Sequence, residues 1–300
     1  MGDTANPEIA ETVLAIGDAR IFGLRARPAR PRATVIALHG GGYDANYWHH
    51  PGVPGNSLLA CGAALGFDVL ALDRPGNARS RESAPDGASL ADQIDMLYAL
   101  IEREVPADLP VFLIGHSLGG ITALKMAADP RAARLSGVET QGVPIRFDEA
   151  GMAMLRDGVA ALRAAGATFG PVPPRAQLEA MFYGPAGRYD PKVVARDDAG
   201  HGAPVIEVEE VITWIGQMDA ILPRIAIPLH WTFARHEASS LFDGESQPRL
   251  ARLLAGNPLA RFAVQEDAAH NISLHHVGRA YHLKVLAFFE EVLALNHRAG

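Results

Sequence analysis

The sequence predicts an α/β protein with a mostly parallel, doubly wound sheet. Three observations lead to this prediction: short apolar runs that end at glycine-rich turns, helical segments with apolar residues three or four positions apart, and the alternation of the two along the chain. Strands that are apolar on both faces are typical of parallel sheets covered by helices on each side. At 300 residues the chain is long enough to bury a large core.

The strands are predicted from their composition and from the turns that end them. Residues 12–24 surround Gly17-Asp18 and suit an antiparallel hairpin. The runs that follow are rich in Val, Ile, Leu and Phe, and each stops at a turn or a polar loop. They cover residues 33–38, 67–72, 111–114, 228–233 and 259–264.

Helical segments with an apolar face lie between these strands. Residues 88–104 are the clearest case, because Leu90, Ile94, Leu97 and Ile101 follow at intervals of three or four. A long C-terminal helix is predicted over residues 278–297. The remaining helices of the alternating pattern are predicted at 56–65, 118–128, 208–222 and 247–255.

The alternation is interrupted once, between about residues 144 and 206. Prolines cluster there, and only two short helical pieces are predicted, at 148–165 and 175–182. We interpret residues 144–220 as a cap over the carboxyl edge of the sheet, where open α/β sheets bind their ligands. Residues 1–143 and 221–300 are then the core domain.

Composition narrows the classes of function. The 27 Lys and Arg residues against 34 Asp and Glu give a net charge of −7, which offers no electrostatic basis for binding nucleic acid or an anionic membrane. The single cysteine, Cys61, excludes an internal disulfide. Without a signal-peptide pattern at the start or a run of 18 apolar residues, we expect a soluble cytoplasmic protein.

Metal chemistry has weak support in the sequence. The segment 197–201 contains two aspartates and a histidine, but adjacent carboxylates on a glycine-rich loop are typical of a solvated surface. No H-E-x-x-H pattern occurs. We therefore predict no metal and no cofactor.

The sharpest motif is Gly115-His-Ser-Leu-Gly119, which lies between a predicted strand and a predicted helix. In a G-x-S-x-G elbow the serine occupies a strained strand-to-helix turn, and the two glycines remove side chains that would collide with neighbouring backbone. The turn raises the serine hydroxyl to the carboxyl edge of the sheet. Ser117 is therefore the predicted nucleophile.

A serine nucleophile needs a histidine base, and the base needs an acid that orients it. His270 follows the last predicted strand, so it lies at the same sheet edge as Ser117. His275 and His276 are closer to the final helix, and His116 is expected to point elsewhere in the turn. For the acid, Glu237 is the first carboxylate after the strand at 228–233, while Asp243 on the same loop and Glu139 at the end of a preceding strand stay open.

Two further groups complete the predicted site. The oxyanion of a tetrahedral intermediate needs backbone N–H donors, which we assign to Leu118 and to Gly41 or Gly42 in the His39-Gly-Gly-Gly42 loop. Large apolar and aromatic residues are predicted to contact an apolar or aromatic acyl group. These substrate-binding residues are Tyr43, Trp48, His116, Met181 and Trp214.

Four motifs in this order resemble the α/β-hydrolase fold superfamily: HGGG, DRPGNARS, GHSLGG, and a late acid and histidine. The resemblance covers residues 12–297, although Ala78 stands where the DRPGNARS motif usually has a second glycine. It implies a cofactor-free serine hydrolase that cleaves a carboxylic ester, lactone or thioester through an acyl-enzyme. Ser117 would be the nucleophile, His270 the base and Glu237 the acid.

Two other functions stay open on the sequence. The same three residues could transfer an acyl group to an alcohol or amine, or close a ring, instead of using water. A member of the fold that has lost catalysis and binds a ligand or partner is the alternative from another class. Association into a homodimer is also compatible with the sequence.

Overall fold

A computed structural model describes residues 8–195 and 202–299. In this part of the chain an eight-stranded sheet has the order β1-β2-β4-β3-β5-β6-β7-β8. The first two strands form the predicted antiparallel hairpin, and β2 pairs antiparallel with β4. The other neighbours are parallel. The strands are β1 (Ile9–Ile16), β2 (Ala19–Ala26), β3 (Ala33–Leu38), β4 (Phe67–Leu72), β5 (Val111–His116), β6 (Gly137–Gln141), β7 (Leu229–Ala234) and β8 (Ala260–Gln265).

Helices cover both faces of the sheet, as the sequence predicts for buried parallel strands. Every residue of β3, β4 and β5 is buried, which explains why these strands are apolar runs rather than alternating patterns. The helices are α1 (Leu58–Ala64), α2 (Leu90–Glu104), α3 (Leu118–Ala127), α4 (Glu149–Ala164), α5 (Arg175–Leu178), α6 (Pro191–Ala195), α7 (Val205–Ile221), α8 (Ser246–Leu253) and α9 (Gly278–Ala299).

Two apolar layers fill the space between the sheet and its helices. One contains Leu97 of α2 and Ile121 of α3, and the other contains Leu59 of α1 and Phe289 of α9. The fold is therefore the predicted doubly wound α/β architecture. None of the helices in the described ranges combines the length and hydropathy needed to cross a membrane.

The helices α4 to α7 lie between β6 and β7, in the region that the sequence sets apart as a cap. Helix α4 has no buried residue, as expected of a covering element. Helix α7 is different, because Trp214 and Met218 belong to the same apolar layer as α3 and β7. The division at residue 220 stays a prediction, but part of α7 packs as a sheet-flanking helix.

The loop after β4 contains a strained residue. Ala78 has a φ of +43°, a left-handed conformation that costs a residue with a Cβ about 1–2 kcal/mol. This is the position at which the sequence departs from the glycine usual in the motif. The side chain of Ser80 in the same loop accepts a hydrogen bond from the Phe22 amide at 2.9 Å, so the loop is tied to β2.

Ala78→Gly is therefore expected to raise the free energy of unfolding by about 0.5–1 kcal/mol. The free energy gained when glycine relieves the backbone strain is larger than the entropic cost of the greater flexibility that glycine gives the unfolded chain. Urea unfolding of both proteins measures the difference. Ala160→Gly, at an exposed position within α4, is the matched control. It is expected to destabilise by about 1 kcal/mol, and a loss of stability in both variants would contradict the prediction.

Candidate active site

Ser117 occupies the turn between β5 and α3, with φ +51° and ψ −117°. The flanking glycines are required by sterics. A Cβ on Gly115 would lie 2.4 Å from the carbonyl oxygen of Gly119, and one on Gly119 would lie 2.3 Å from that of Leu38. Because the turn excludes these side chains, the elbow has the geometry that the sequence predicts. The amide of Ser117 donates to the Gln141 carbonyl at 2.9 Å, which fixes the turn to β6.

The glycine loop after β3 lies against this elbow. A Cβ on Gly41 would be 2.6 Å from Cδ1 of Leu118, and one on Gly40 would be 3.1 Å from Cβ of Ser117. Gly42 has a φ of +76°, which favours glycine. The structure thus brings together the segments predicted to supply the two oxyanion donors, Leu118 on one side and Gly41 or Gly42 on the other.

His270 and Glu237, the residues predicted as base and acid, contact each other in the structure. Nδ1 of His270 lies 3.0 Å from Oε2 and 3.1 Å from Oε1 of Glu237. Both side chains are more than nine-tenths buried. Burial raises the pKa of Glu237, but the charge and hydrogen bond of His270 and the hydrogen bonds from Ser239 outweigh it, so the pKa lies below its usual value. A charged carboxylate therefore faces Nδ1.

Because Nδ1 of His270 faces Glu237, Nε2 is the ring nitrogen that could take the proton of the predicted nucleophile Ser117. Cε1 of His270 would lie 3.1 Å from a Cβ on Gly142, and Gly142 follows the Gln141 carbonyl that holds the Ser117 amide. The predicted base and the elbow thus both lie at the end of β6. No hydrogen bond joins the Ser117 hydroxyl to the His270 ring in the described contacts, and such bonds commonly tighten only when substrate is bound.

Ser239, which is not among the predicted site residues, also contacts this pair. Its hydroxyl lies 2.6 Å from Oε1 of Glu237 and 2.8 Å from Nδ1 of His270, and its amide donates to the same Oε1 at 2.8 Å. Ser239 therefore holds the carboxylate in place. A serine two residues after an acid is a common local turn partner, which is the one signal that could have pointed to it.

The other carboxylates that the sequence left open have different partners. Glu139 is fully buried and accepts from Thr232 at 2.8 Å and Tyr281 at 3.0 Å, and it also contacts Nδ1 of His230. Asp243 pairs with Arg146 at the surface. Neither contacts His270, so the geometry favours Glu237 as the acid.

His116 departs from its prediction as a substrate contact. It is fully buried, its ring stacks on Tyr47 at 4.3 Å, and it meets the His270 ring edge-on at 4.8 Å. Burial lowers its pKa well below the usual value, and the positive forms of His270 and His39 act in the same direction. A neutral His116 therefore supports one side of His270 from within the protein.

The remaining predicted substrate contacts divide into two groups. Trp48 and Trp214 lie in the core, with only 1% and 0% of their surface exposed, because their rings fill space between the sheet and its helices. Trp214 also donates to the Pro144 carbonyl at 2.9 Å. Tyr43 is buried, and its hydroxyl accepts from Asn271 at 2.7 Å. Met181, which is only partly buried, lines a cavity in the described part of the chain.

That cavity, of about 400 Å³, lies beside Gly41 and Gly42. Its wall is almost entirely apolar, with Gln177 supplying a polar side chain. The apolar side chains come from α4 and from the segment that follows it. They include Leu155, Val159, Leu162, Pro171, Met181 and Phe182.

No cluster of three or more His, Cys, Asp or Glu side chains that could hold a metal occurs in residues 8–195 and 202–299. Segment 197–201, with its two aspartates and one histidine, lies outside the described residues.

A family model and several proteins with sequence similarity match the chain. The model of the alpha/beta hydrolase family matches residues 35–281. Phospholipase YtpA of Bacillus subtilis (strain 168) is 31% identical over 111 residues, which is 36% of this chain and 39% of that protein. Putative carbamate hydrolase RutD of Serratia proteamaculans (strain 568) is 44% identical over 66 residues, 21% of this chain and 24% of that protein. The chain thus matches well under half the length of these relatives.

Solved structures share the architecture over nearly the whole chain. A lipase in its open form has a TM-score of 0.70 at 21% identity, covering 95% of this chain and 99% of that one. A thioesterase domain from the curacin biosynthetic pathway has a TM-score of 0.67 at 17% identity, covering 93% and 99%. At these identities the likeness establishes the fold.

Proposed function

Because the chain belongs to the alpha/beta hydrolase family, we propose that it is a serine hydrolase that cleaves a carboxylic ester, lactone or thioester through an acyl-enzyme. The observation that carries the proposal is the pairing of His270 Nδ1 with the buried Glu237 carboxylate, at the same edge of the sheet as the Ser117 elbow. Relatives named as a phospholipase and an esterase support hydrolysis in general.

In the proposed reaction, Ser117 Oγ attacks the carbonyl carbon while its proton passes to Nε2 of His270. Glu237 holds the opposite side of the ring and stabilises the imidazolium. The Leu118 amide and that of Gly41 or Gly42 donate to the oxyanion. The tetrahedral intermediate collapses as the leaving group takes the proton from His270. Water, activated by the same imidazole, then attacks the acyl-enzyme and releases the acid.

The substrate class follows from the cavity beside the glycine loop. The cavity wall is apolar, so a charged group placed there would lose its hydration without a compensating partner. We therefore assign the cavity to an uncharged apolar or aromatic acyl group. The carbonyl carbon would lie at the end of the cavity nearest Gly41 and Gly42.

An active-site probe tests this assignment. Incubation with a fluorophosphonate is expected to label Ser117, detected as a mass increase on the peptide that contains it. A panel of p-nitrophenyl esters is expected to show higher kcat/KM for apolar acyl groups than for acyl groups that carry a terminal carboxylate. Analysis of the products with and without an added alcohol distinguishes hydrolysis from acyl transfer.

Absence of labelling in the folded protein would contradict the proposal and favour the non-catalytic alternative. Equal activity toward charged and apolar acyl groups would leave the nucleophile assigned but overturn the assignment of the cavity.

A further inference from the structure

Phe182 covers one face of the imidazole that we propose as the base. Its ring is stacked on His270 with the centroids 4.9 Å apart and the planes inclined by 27°. His116 meets His270 at 4.8 Å from another side, and Glu237 faces Nδ1. The ring of His270 is thus enclosed by two other rings and the carboxylate, while Phe182 also lines the apolar cavity.

The segment that carries Phe182 has an unusual conformation. Residues Glu179–Tyr183 form a π-helical turn directly after α5. Such turns are rare and occur frequently at functional sites. The turn ends at Gly184, whose φ is +64°, and a Cβ there would be 3.0 Å from Cβ of Ala269. The glycine therefore allows the turn to pass close to the loop that holds the base.

Backbone hydrogen bonds join this turn to the histidine loop. The amide of Asn271, the residue after His270, donates to the Phe182 carbonyl at 3.0 Å. Farther along both segments, the amide of His276 donates to the Arg188 carbonyl at 2.9 Å. Because Asn271 follows His270 and Phe182 carries the stacked ring, this bond holds the backbone of the π-helical turn beside the backbone of the histidine loop.

We infer that Phe182 is a positioning residue for the His270 base, and that it couples the apolar cavity to the proton transfer. This inference rests on the proposed function. Stacking restricts rotation of the imidazole and keeps water from one face. The π face of the phenyl ring also favours the positive imidazolium that forms when Ser117 gives up its proton. Because Phe182 also lines the cavity, an acyl chain bound there would contact the same side chain.

Phe182→Leu tests the inference, because leucine keeps an apolar side chain and removes the π face. We expect kcat to fall on the order of tenfold, which corresponds to a cation–π interaction of about 1–2 kcal/mol, with a smaller change in KM. The lower limb of the pH profile of kcat/KM is expected to move to lower pH, because the imidazolium loses a favourable contact. Phe182→Tyr keeps an aromatic ring and is therefore expected to keep the wild-type kcat and the wild-type pH profile of kcat/KM.

Met181→Leu is the matched control in the same turn. Met181 lines the cavity but has no ring stacked on His270, so this variant is expected to change KM without moving the pH profile. In NMR spectra, the His270 ring protons are expected to lose the part of their ring-current shift that Phe182 causes in the Phe182→Leu variant, and to keep it in the Met181→Leu variant.

The outcomes separate this inference from the proposed function. If Phe182→Leu retains the wild-type kcat and pH profile while the fluorophosphonate still labels Ser117, the role of Phe182 is overturned and the proposed function stands. If the wild-type protein is not labelled, the proposed function fails. An unchanged His270 ring-current shift in Phe182→Leu would contradict the stacking itself, whatever the activity.

Discussion

Replacement of Ser117 by alanine is expected to lower kcat for an activated ester by on the order of 10⁴- to 10⁶-fold, because no other group takes over the nucleophilic attack. The strained turn remains, since alanine keeps the Cβ and the flanking glycines are unchanged. His270→Ala is expected to cause a loss of similar size. If the two residues act as a unit, the double variant will be no slower than either single variant.

Glu237→Gln extends the same test to the acid. The amide keeps the shape of the carboxylate but not its charge, so His270 loses the partner that holds Nδ1 protonated and stabilises the imidazolium. We expect a fall in kcat on the order of 10⁴-fold. Asp243→Asn is the matched control on the same loop, because Asp243 pairs with Arg146 and is expected to leave kcat unchanged.

Steady-state kinetics with a p-nitrophenyl ester and thermal unfolding of each variant provide the measurements. A Ser117→Ala protein that keeps both its melting temperature and its activity would refute the nucleophile. A large loss in Asp243→Asn with none in Glu237→Gln would assign the acid to Asp243 instead.

The sequence predicts the central strands well for a physical reason. The predicted ranges 33–38 and 67–72 coincide with β3 and β4, which are buried on both faces and are therefore apolar at every position except Thr34 and Asp68. By contrast, β6 has the sequence GVETQ and matches none of the ranges predicted from apolar runs. Its buried Glu139 is satisfied by Thr232 and Tyr281, partners about 90 and 140 positions away that no local pattern reveals.

Some residues of the candidate site can be predicted from the sequence and others cannot. Ser117, His270 and Glu237 follow from topology, because each lies on a loop at the carboxyl end of a parallel strand and such loops meet at one edge. Phe182 and Ser239 depend on the path of segments without a clear period. The sequence also does not distinguish burial of Trp48 and Trp214 in the core from a position in a binding site, since an aromatic side chain fits both equally well.

A buried ion pair joins α7, in the segment between β6 and β7, to the loop after β4. No sequence pattern predicts this pair. Arg74, after β4, makes two hydrogen bonds to Glu207 of α7, at 2.7 and 2.8 Å, and neither side chain is exposed. Gln93 and Asn77 also donate to Oε1 of Glu207. Nε of Arg74 donates to the His39 carbonyl at 2.8 Å, directly before the glycine loop. Both charged groups thus make several hydrogen bonds in the interior.

Glu207→Gln is expected to lower the free energy of unfolding by about 3–5 kcal/mol, because the variant leaves the Arg74 guanidinium buried without an opposite charge. Urea unfolding followed by tryptophan fluorescence gives the value. Glu209→Gln, two residues along α7, is the matched control: its partner Arg163 is half exposed, so water replaces the lost contact and little change is expected.

The double variant Arg74→Met/Glu207→Leu separates two causes of that loss. If the unpaired buried charge is responsible, removing both charged groups restores much of the stability, since apolar residues of similar volume can replace a buried ion pair at little cost. If packing around Glu207 is responsible, the double variant will be at least as unstable as Glu207→Gln. Equal, small losses in Glu207→Gln and Glu209→Gln would instead show that the pair contributes no more than a surface contact, and that α7 is held by its apolar face alone.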